Sequence, residues 1–442
     1  MGDLIKRFYK FWWAKKRFLV LLTLASLCAI MTGIIWLLSL GSLLDKWPGE
    51  LLINIFASLI GFLAGVMAMN QFARSLSKHE DEQKVCFDDK KLEGQYKQHY
   101  WHEFTIPNHK PAHVYAELLF VMSRDKELEV HDDPDLRNLF EPDTIIKAYC
   151  MDILPAHGSS KIPNGLTVRL KNIEEKNNKI TITTHRSTYI AHLLTNRAID
   201  YKIVHDISLR TLFEGSDTLT PLYVSKMSNH IGINVFVFLK DRDQKKYILL
   251  PERDKVGTIA KGQITASWAT RLTMDDYSRI ITENYLAKGV ICDNWGSFCD
   301  AMMVDKDFIT EKDINIQLLG ATRDIYEGGK PTFFYIVELK KNVEDYLDAY
   351  NNYKTNIFPK KDQGHDAPAL MYIAQWNSLM MNKNDKMVFT ALNVEKNEKC
   401  KRKKNLAMCK EITVSCEKNL LAGLYVYSEY DRLHSNSQFP EQ

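Results

Sequence analysis

Two long apolar segments stand near the start of the chain, ahead of shorter segments in which apolar and polar residues alternate. Residues 18–40 and 51–73 each run for 23 residues without a charged side chain. As a helix, such a segment is roughly 35 Å long, and the hydrocarbon core of a bilayer is about 30 Å thick. A cleaved signal peptide has a shorter apolar region and no second one behind it. The pattern therefore predicts a two-helix transmembrane hairpin over residues 1–75.

Basic residues flank this hairpin on one side. Residues 1–17 include six lysines and arginines, and Arg74 and Lys78 follow the second segment. The ten-residue connection has one lysine against Asp45 and Glu50. Positively charged flanks stay in the cytoplasm, so we expect a multi-pass membrane protein with both termini cytoplasmic. The eight cysteines form no C-x-x-C pair, which agrees with a reducing compartment.

Small residues recur at four-residue spacing within each apolar segment. That spacing places each set on one helix face, where two backbones can approach closely. Two alternatives stay open: the helices pack on each other within one chain, or several hairpins assemble in the bilayer as a homo-oligomer. The predicted packing residues are Ala25, Ala29, Gly33, Ala57, Gly61 and Gly65.

The composition of the chain is that of a globular protein. Charged residues make up 26% and hydrophobic residues 45%, and the net charge is +3. This balance gives no indication of binding to a nucleic-acid polymer. Residues 76–100 are polar and predict a charged linker. Short strand-like runs between turns predict a strand-rich α+β extension over 101–202, and a further domain is predicted over 203–432.

Within residues 203–432, the apolar pattern predicts the order β-β-β-α-β-β followed by a closing helix. The last strand pair contains YEGGKPTFFYIVEL, residues 326–339. Gly328 and Gly329 accept a positive φ without a Cβ clash. The stretch is therefore typical of a sharp turn that enters a buried strand.

This order and its segments resemble the Nudix and Nudix-like family. The similar runs are SNHIGINVFVF, YILLPERDK, QITASWATRL and LLGATRDIYEGGKPTFFYIVEL, within residues 219–430. The run THRSTYIAHLLTNRAIDY resembles the segment before the core in some relatives. The resemblance implies an αβα sandwich. The expected fold class is thus a transmembrane hairpin plus a cytoplasmic α+β part, a Nudix-like αβα sandwich with a strand-rich N-terminal extension.

The catalytic box of that family is degenerate in this chain. A working box is similar to G-x5-E-x7-REUxEExGU, where U is aliphatic, and its carboxylates hold Mg²⁺ against a pyrophosphate. With the RE pair placed on Thr282 and Glu283, the metal-binding glutamates fall on Leu286 and Ala287. A single surviving carboxylate cannot form the usual metal site. We therefore expect no catalytic residue, no metal and no cofactor.

A sandwich without its metal-binding face is expected to bind a ligand rather than hydrolyse it. The ligands that the family resemblance implies are phosphorylated nucleosides. Arginine and lysine suit phosphate groups, and aromatic rings stack on bases. The candidate ligand-binding residues are Arg253, Trp268, Arg271, Arg323, Tyr326 and Lys330.

A two-span hairpin joined to a Nudix-like domain with a degenerate box resembles the 2TM–Nudix membrane effectors of bacterial CBASS anti-phage systems. The resemblance implies that a cyclic oligonucleotide binds the soluble domain and triggers oligomerisation of the transmembrane helices. Disruption of the inner membrane and abortive infection would follow.

Two other functions stay open. One is a membrane-anchored Nudix pyrophosphatase acting on nucleoside diphosphate derivatives, with a metal site formed by Asp275, Asp276 and Glu283. The other is an anchored scaffold that binds no small ligand.

Overall fold

One large mixed β-sheet organises the part of the protein that the structure describes. The structure is a computed structural model. It describes residues 89–106, 110–133, 138–149, 153, 164–204, 207–253, 262–273, 285–357, 368–392 and 409–435. All of these ranges belong to the compact unit Lys78–Gln442.

The strands and helices are numbered in chain order over these ranges. The strands are β1 (Trp101–Thr105), β2 (Pro111–Val121), β3 (Glu127–Asp132), β4 (Leu166–Lys176), β5 (Lys179–Thr188), β6 (Lys202–Val204), β7 (Ile207–Ser208), β8 (Gly232–Lys240), β9 (Lys246–Arg253), β10 (Trp268–Arg271), β11 (Ile314–Asp324), β12 (Lys330–Asn342), β13 (Pro368–Gln375), β14 (Met380–Met381), β15 (Lys386–Leu392) and β16 (Cys409–Ser415). The α-helices are α1 (Asp89–Tyr100), α2 (Thr144–Ala148), α3 (Tyr189–Leu194), α4 (Leu209–Phe213), α5 (Tyr285–Asp293), α6 (Trp295–Ala301), α7 (Val343–Asn352) and α8 (Lys418–Ser435).

The main sheet has eleven strands. Nine of them follow the order β1-β2-β11-β12-β8-β9-β13-β15-β14, and β10 pairs with β8 while β16 pairs with β15. β12 and β8 run parallel, whereas β11 and β12 form an antiparallel hairpin. A separate three-stranded sheet has the order β3-β5-β4, and β6 pairs with β7.

The central strand β8 is covered on both faces. Its sequence GINVFVFLK is buried at every position except Lys240, as expected for a strand between two packed layers. Alternate side chains point to opposite faces of a strand. Ile233 and Val235 accordingly belong to one hydrophobic core, and Phe236 and Phe238 belong to another.

The two cores are covered by different elements. The first core joins β8 to Val168 and Ile182 of the three-stranded sheet and to side chains from α5, α6 and α7. The second core lies under α8, whose Leu420 and Leu424 are buried in it. A Cβ atom built on Gly423 of α8 would lie 2.3 Å from the ring of Phe236, so the helix approaches the sheet closely at this point.

The predicted fold class is corrected by this arrangement. The described residues form mostly mixed β-sheet, with few helices, rather than an αβα sandwich behind a transmembrane hairpin. The physical reason lies in residues 101–202, which supply β1 and β2 to the main sheet and β3–β5 to the first core. The three-stranded sheet β3-β5-β4 therefore packs on the first core, on a face of the main sheet where an αβα sandwich has only helices. The domain boundary at 202/203 stays a prediction.

The predicted multi-pass location in the inner membrane is corrected as well. Across the ranges that the structure describes, no helix is both long enough and apolar enough to cross a bilayer. The 18-residue α8 carries Lys418, Glu429, Asp431 and Arg432. The predicted spans 18–40 and 51–73, with the six packing residues from Ala25 to Gly65, lie outside the described residues.

The turn between β11 and β12 agrees with its sequence. Gly328 has φ +55° and Gly329 has φ +76°, both in the region that favours glycine. A Cβ atom on Gly329 would lie 2.4 Å from Arg323 Nη2, and one on Gly328 would lie 2.7 Å from Ile199 Cγ1. The prediction of a glycine turn entering a buried strand is confirmed, and the turn is closely packed.

Candidate functional site

A group of charged and polar side chains gathers where β8 and β12 begin and β10 ends. Arg271, Gly232 and Thr332 occupy one row across β10, β8 and β12. Because side chains alternate along strands, this row lies on the same sheet face as Phe334 and the second core. We call the set the polar cluster; it comprises Tyr189, Arg197, His230, Arg271, Glu327, Lys330, Thr332 and Glu417.

Glu327 is the centre of charge pairing in the polar cluster. Its Oε1 atom accepts a hydrogen bond from Arg197 Nη1, and its Oε2 atom lies 2.7 Å from Lys330 Nζ. The side chains of Arg197, Glu327 and Lys330 retain 25%, 14% and 17% of their accessible surface. Asn196 fixes the backbone beneath them, since its Nδ2 donates to the carbonyl of Glu327 at 3.0 Å. The pair of cations is thus held in place yet partly open to solvent.

Aromatic rings and a guanidinium stack beside these charges. The Cζ atom of Arg271 lies 4.6 Å from the ring centroid of Tyr189. The rings of Tyr189 and His230 are stacked at 6.3 Å, and those of His192 and His230 at 3.6 Å. This cation–π contact with Tyr189 restricts the position of the Arg271 guanidinium. Its Nε atom is buried and has no hydrogen-bond partner among the described residues.

Gly232 leaves room for the neighbouring polar groups. A Cβ atom at this position would lie 3.3 Å from Thr332 Oγ1 and 3.4 Å from Lys330 Cε. The hydroxyl of Thr332 is buried without a hydrogen-bond partner in the described part of the chain. Glycine at this position therefore lets the lysine stem and the threonine hydroxyl approach the start of β8.

The electrostatic environment differs among the titratable groups. Burial and the nearby Lys330 lower the pKa of His230, which keeps the imidazole neutral. Burial and Glu327 raise the pKa of Glu417. Burial alone would raise the pKa of Glu327, but Lys330 and Arg197 outweigh it and lower that pKa. Glu327 is therefore the carboxylate that stays ionised most firmly.

Positive charge prevails in this region. The polar cluster contains three basic side chains, Arg197, Arg271 and Lys330, against the two carboxyl groups of Glu327 and Glu417. Arg253, at the end of β9, partly offsets the rise in the pKa of the Glu417 carboxyl. The pKa of Glu417 is nevertheless raised, so its negative charge is the more readily lost. Chemically, the arrangement suits an anion such as a phosphate group.

The six predicted ligand-binding residues fall in three places. Arg271 and Lys330 belong to the polar cluster, and Arg253 lies at its border. Tyr326 is next to Glu327 in the chain, but its hydroxyl donates to Glu93 Oε1 at 2.6 Å.

Arg323 and Trp268 lie in the interior. Arg323 is 1% exposed, and its guanidinium donates to Gly329 O, Glu117 Oε2 and Thr220 O. Trp268 is 3% exposed, and its Nε1 donates to Ser297 Oγ at 3.3 Å. A ligand would have to displace these interactions to reach either side chain. Ligand contact by all six residues stays a prediction.

The residues proposed for a pyrophosphatase metal site lie outside the described residues. These are Asp275, Asp276 and Glu283. Among the residues that the structure does describe, no group of three or more His, Cys, Asp or Glu side chains is arranged to hold a metal ion.

Sequence reasoning missed several members of the polar cluster. Tyr189 and Arg197 stand in THRSTYIAHLLTNRAIDY. This run resembles a segment before Nudix-like cores, but its sequence indicated no binding residue. Glu327 stands in the glycine turn, where its charge suggested no particular partner. The sequence E-G-G-K of residues 327–330 could have indicated the pairing of Glu327 with Lys330, because a tight turn brings its first and last residues together.

Neither of two comparisons with known proteins finds a relative. No protein-family model matches the chain, and no curated protein matches it.

Proposed function

We propose that the polar cluster binds the phosphate groups of a cyclic oligonucleotide and that the protein is a receptor rather than a hydrolase. The observation that carries the proposal is Arg271. Its guanidinium is oriented by the ring of Tyr189 at 4.6 Å, and its buried Nε donor is unused by the described residues. Nucleotide sites commonly combine an oriented arginine with aromatic stacking.

The neighbouring cations support a ligand with more than one phosphate. Arg197 and Lys330 share the single carboxylate of Glu327, so their combined positive charge exceeds that of their partner. A phosphodiester carries one negative charge, and a cyclic oligonucleotide carries several at fixed separation. Arg271 at one side and the Arg197–Lys330 pair at another could therefore each contact one phosphate.

The receptor function follows the resemblance to effectors of bacterial anti-phage systems, in which an infection signal is a cyclic oligonucleotide. We do not carry membrane disruption into this proposal, because no helix in the described ranges can cross a bilayer. A binding role without turnover is supported by the degenerate box, in which Leu286 occupies a metal-ligand position and is 1% exposed in the first core.

Titration calorimetry with cyclic di-AMP, cyclic di-GMP, cyclic GMP–AMP and cyclic tri-AMP tests the proposal. We expect at least one compound to bind, and Arg271→Ala to weaken it about ten- to one-hundredfold, as for loss of a charge-assisted hydrogen bond. Arg271→Lys keeps the charge but loses the planar stack on Tyr189, so it should rescue only part of the affinity. Arg432→Ala, which removes an exposed arginine paired with Glu429, is the matched control.

Two results would contradict this function. Failure of all four compounds to bind the intact protein would exclude the ligand class, and unchanged affinity in Arg271→Ala would exclude the site. Mg²⁺-dependent release of phosphate from nucleoside diphosphate derivatives, abolished by Glu283→Gln, would favour the pyrophosphatase instead.

A further inference from the structure

Helix α1 contacts both chain segments that carry carboxylates of the polar cluster. Glu93 of α1 accepts a hydrogen bond from Tyr326 Oη at 2.6 Å and another from Lys418 Nζ at 2.6 Å, both on Oε1. The ammonium of Lys418 also lies 5.1 Å from the ring centroid of Tyr326. One carboxylate on α1 therefore joins the β11–β12 turn to the start of α8.

Each of these contacts is one residue away from the polar cluster. Tyr326 precedes Glu327, and Lys418 follows Glu417. In both segments, one side chain faces α1 and its neighbour belongs to the polar cluster. A displacement of either segment relative to α1 therefore moves a carboxylate of the polar cluster as well.

The β11–β12 turn is built to transmit such a displacement. The amide of Tyr326 donates to Asp324 Oδ1 at 2.8 Å, and the amide of Gly329 donates to the carbonyl of Asp324 at 2.8 Å. Lys330 N donates to the carbonyl of Glu327 at 3.2 Å. Because the glycines are also packed against Arg323 and Ile199, the turn has little room to deform internally.

We propose that Glu93 is a positioning residue of the polar cluster and that docking of α1 is coupled to anion binding there. This rests on the proposed function for the identity of the ligand, but the contacts of Glu93 exist without it. Coupling is reciprocal: an anionic ligand that displaces the Glu327 carboxylate from Lys330 also shifts Tyr326 relative to α1. Glu93 contacts Tyr326 and Lys418 directly, and these residues adjoin Glu327 and Glu417 in the chain, so the path from α1 to the polar cluster is continuous.

α1 offers a matched control at its other end. His99 Nε2 lies 3.3 Å from Asp217 Oδ2, and both side chains are exposed. Asp217→Asn therefore removes one polar contact of α1 without touching Tyr326 or Lys418. Glu93→Gln removes the charge that both partners share, and Glu93→Asp shortens the side chain while keeping its charge.

The first experiment needs no ligand. We expect hydrogen exchange at the amides of residues 325–330 to accelerate about fivefold in Glu93→Gln, within the usual range of coupling between sites. Glu93→Asp should have a smaller effect, and Asp217→Asn should have none. Equal exchange in Glu93→Gln and in the unchanged protein would overturn the positioning role, whatever ligand the protein binds.

The second experiment measures the coupling itself. With whichever of the four cyclic nucleotides binds, Glu93→Gln should weaken affinity about fivefold, and the ligand should slow exchange in residues 89–100 of the unchanged protein. Binding that leaves both quantities unaltered would refute the coupling while the ligand site stands. If no compound binds but Glu93→Gln still loosens residues 325–330, the ligand class is wrong and the positioning role holds.

Discussion

The carboxylate of Glu327 bridges two cations, Arg197 on Oε1 and Lys330 on Oε2. In the complex proposed above, an anionic ligand would compete with this carboxylate for the same two donors.

Neutralising the Glu327 carboxylate should raise the affinity for a cyclic nucleotide and lower the free energy of unfolding. We expect Glu327→Gln to tighten binding of a cyclic nucleotide about tenfold, or about 1.4 kcal/mol, because Arg197 and Lys330 are released for the ligand. The free energy of unfolding should fall by about 1–3 kcal/mol, since the partly buried cations lose their partner. Calorimetry and urea denaturation measure the two effects. Glu338→Gln, at a half-exposed glutamate 3.8 Å from Lys246, is the control, and weaker ligand binding in Glu327→Gln would contradict the competition.

Asp324 should impose a pH dependence on stability. It is 7% exposed, and burial and the nearby Glu327 raise its pKa from 3.8 to about 7. The folded state then binds a proton that the unfolded state has already released, so the contribution of Asp324 to stability falls as pH rises from about 4 through 7.

The substitution Asp324→Asn tests this sign. Between pH 5.5 and 8, the variant should gain stability relative to the unchanged protein, on the order of 2 kcal/mol, because one pKa unit corresponds to about 1.4 kcal/mol. His230 contributes with the opposite sign in both proteins, so their difference isolates Asp324. Urea denaturation at several pH values gives the measurement. A difference that does not change with pH would show that Asp324 is ionised in the folded state.

The local elements were more predictable than their assembly. The strands β8-β9-β10 and β11-β12 follow from runs of apolar residues between turns, but two helices, α5 and α6, stand where the sequence predicted one, and α7 and β13–β16 precede the closing helix. The two glycines at 328 and 329 fix a turn by their own conformational range. The packing of the three-stranded sheet β3-β5-β4 on the first core was not predictable from runs of apolar residues. Val168 of β4 donates its backbone N–H to Leu272 O and accepts from Ile231 N, and short-range patterns do not encode such distant pairings.

Contacts between residues distant in the chain also explain why some predicted ligand-binding residues lie in the polar cluster and others in the interior. Arg323 has the sequence environment of an available cation at a strand end. Its acceptors come from positions 117, 220 and 329, so only the fold shows that its donors are satisfied. Arg271 has a similar sequence environment but meets the ring of Tyr189 instead. Residue type indicated a cation in both cases, whereas only the fold shows that the Arg323 guanidinium is engaged on several sides and that Arg271 Nε has no hydrogen-bond partner among the described residues.

The close approach of α8 to the sheet gives a test of the second core. Gly423→Ala would place a Cβ atom 2.3 Å from the ring of Phe236 and 2.7 Å from that of Phe334. We expect a loss of about 1–3 kcal/mol of stability from overpacking. Gly94→Ala is the matched control, because a Cβ atom there meets nothing within 4 Å and alanine favours the helix by up to about 1 kcal/mol. Thermal unfolding of both variants measures the contrast, and equal stability of the two would exclude the close contact.

A buried ion pair beneath α1 should be far more important to stability than its surface counterparts. Arg210 donates from Nε to Asp200 Oδ1 at 2.7 Å and from Nη2 to Oδ2 at 2.8 Å, and both side chains are 4% exposed. Burial would lower the pKa of Arg210, but Asp200 outweighs this effect and raises it. Asp200→Asn leaves a buried guanidinium without a counter-charge, which costs about 3–5 kcal/mol. The exposed pair of Glu429 and Arg432 provides the control.

Urea denaturation of the two variants distinguishes the roles. Asp200→Asn should unfold at a much lower denaturant concentration with an unchanged slope, because stability is lost without a change in the surface exposed on unfolding. Glu429→Gln should unfold at the same midpoint as the unchanged protein, since an exposed pair contributes little. Equal midpoint shifts in Asp200→Asn and Glu429→Gln would contradict this prediction. They would mean that water or another acceptor binds the Arg210 guanidinium and that the pair is not buried in solution.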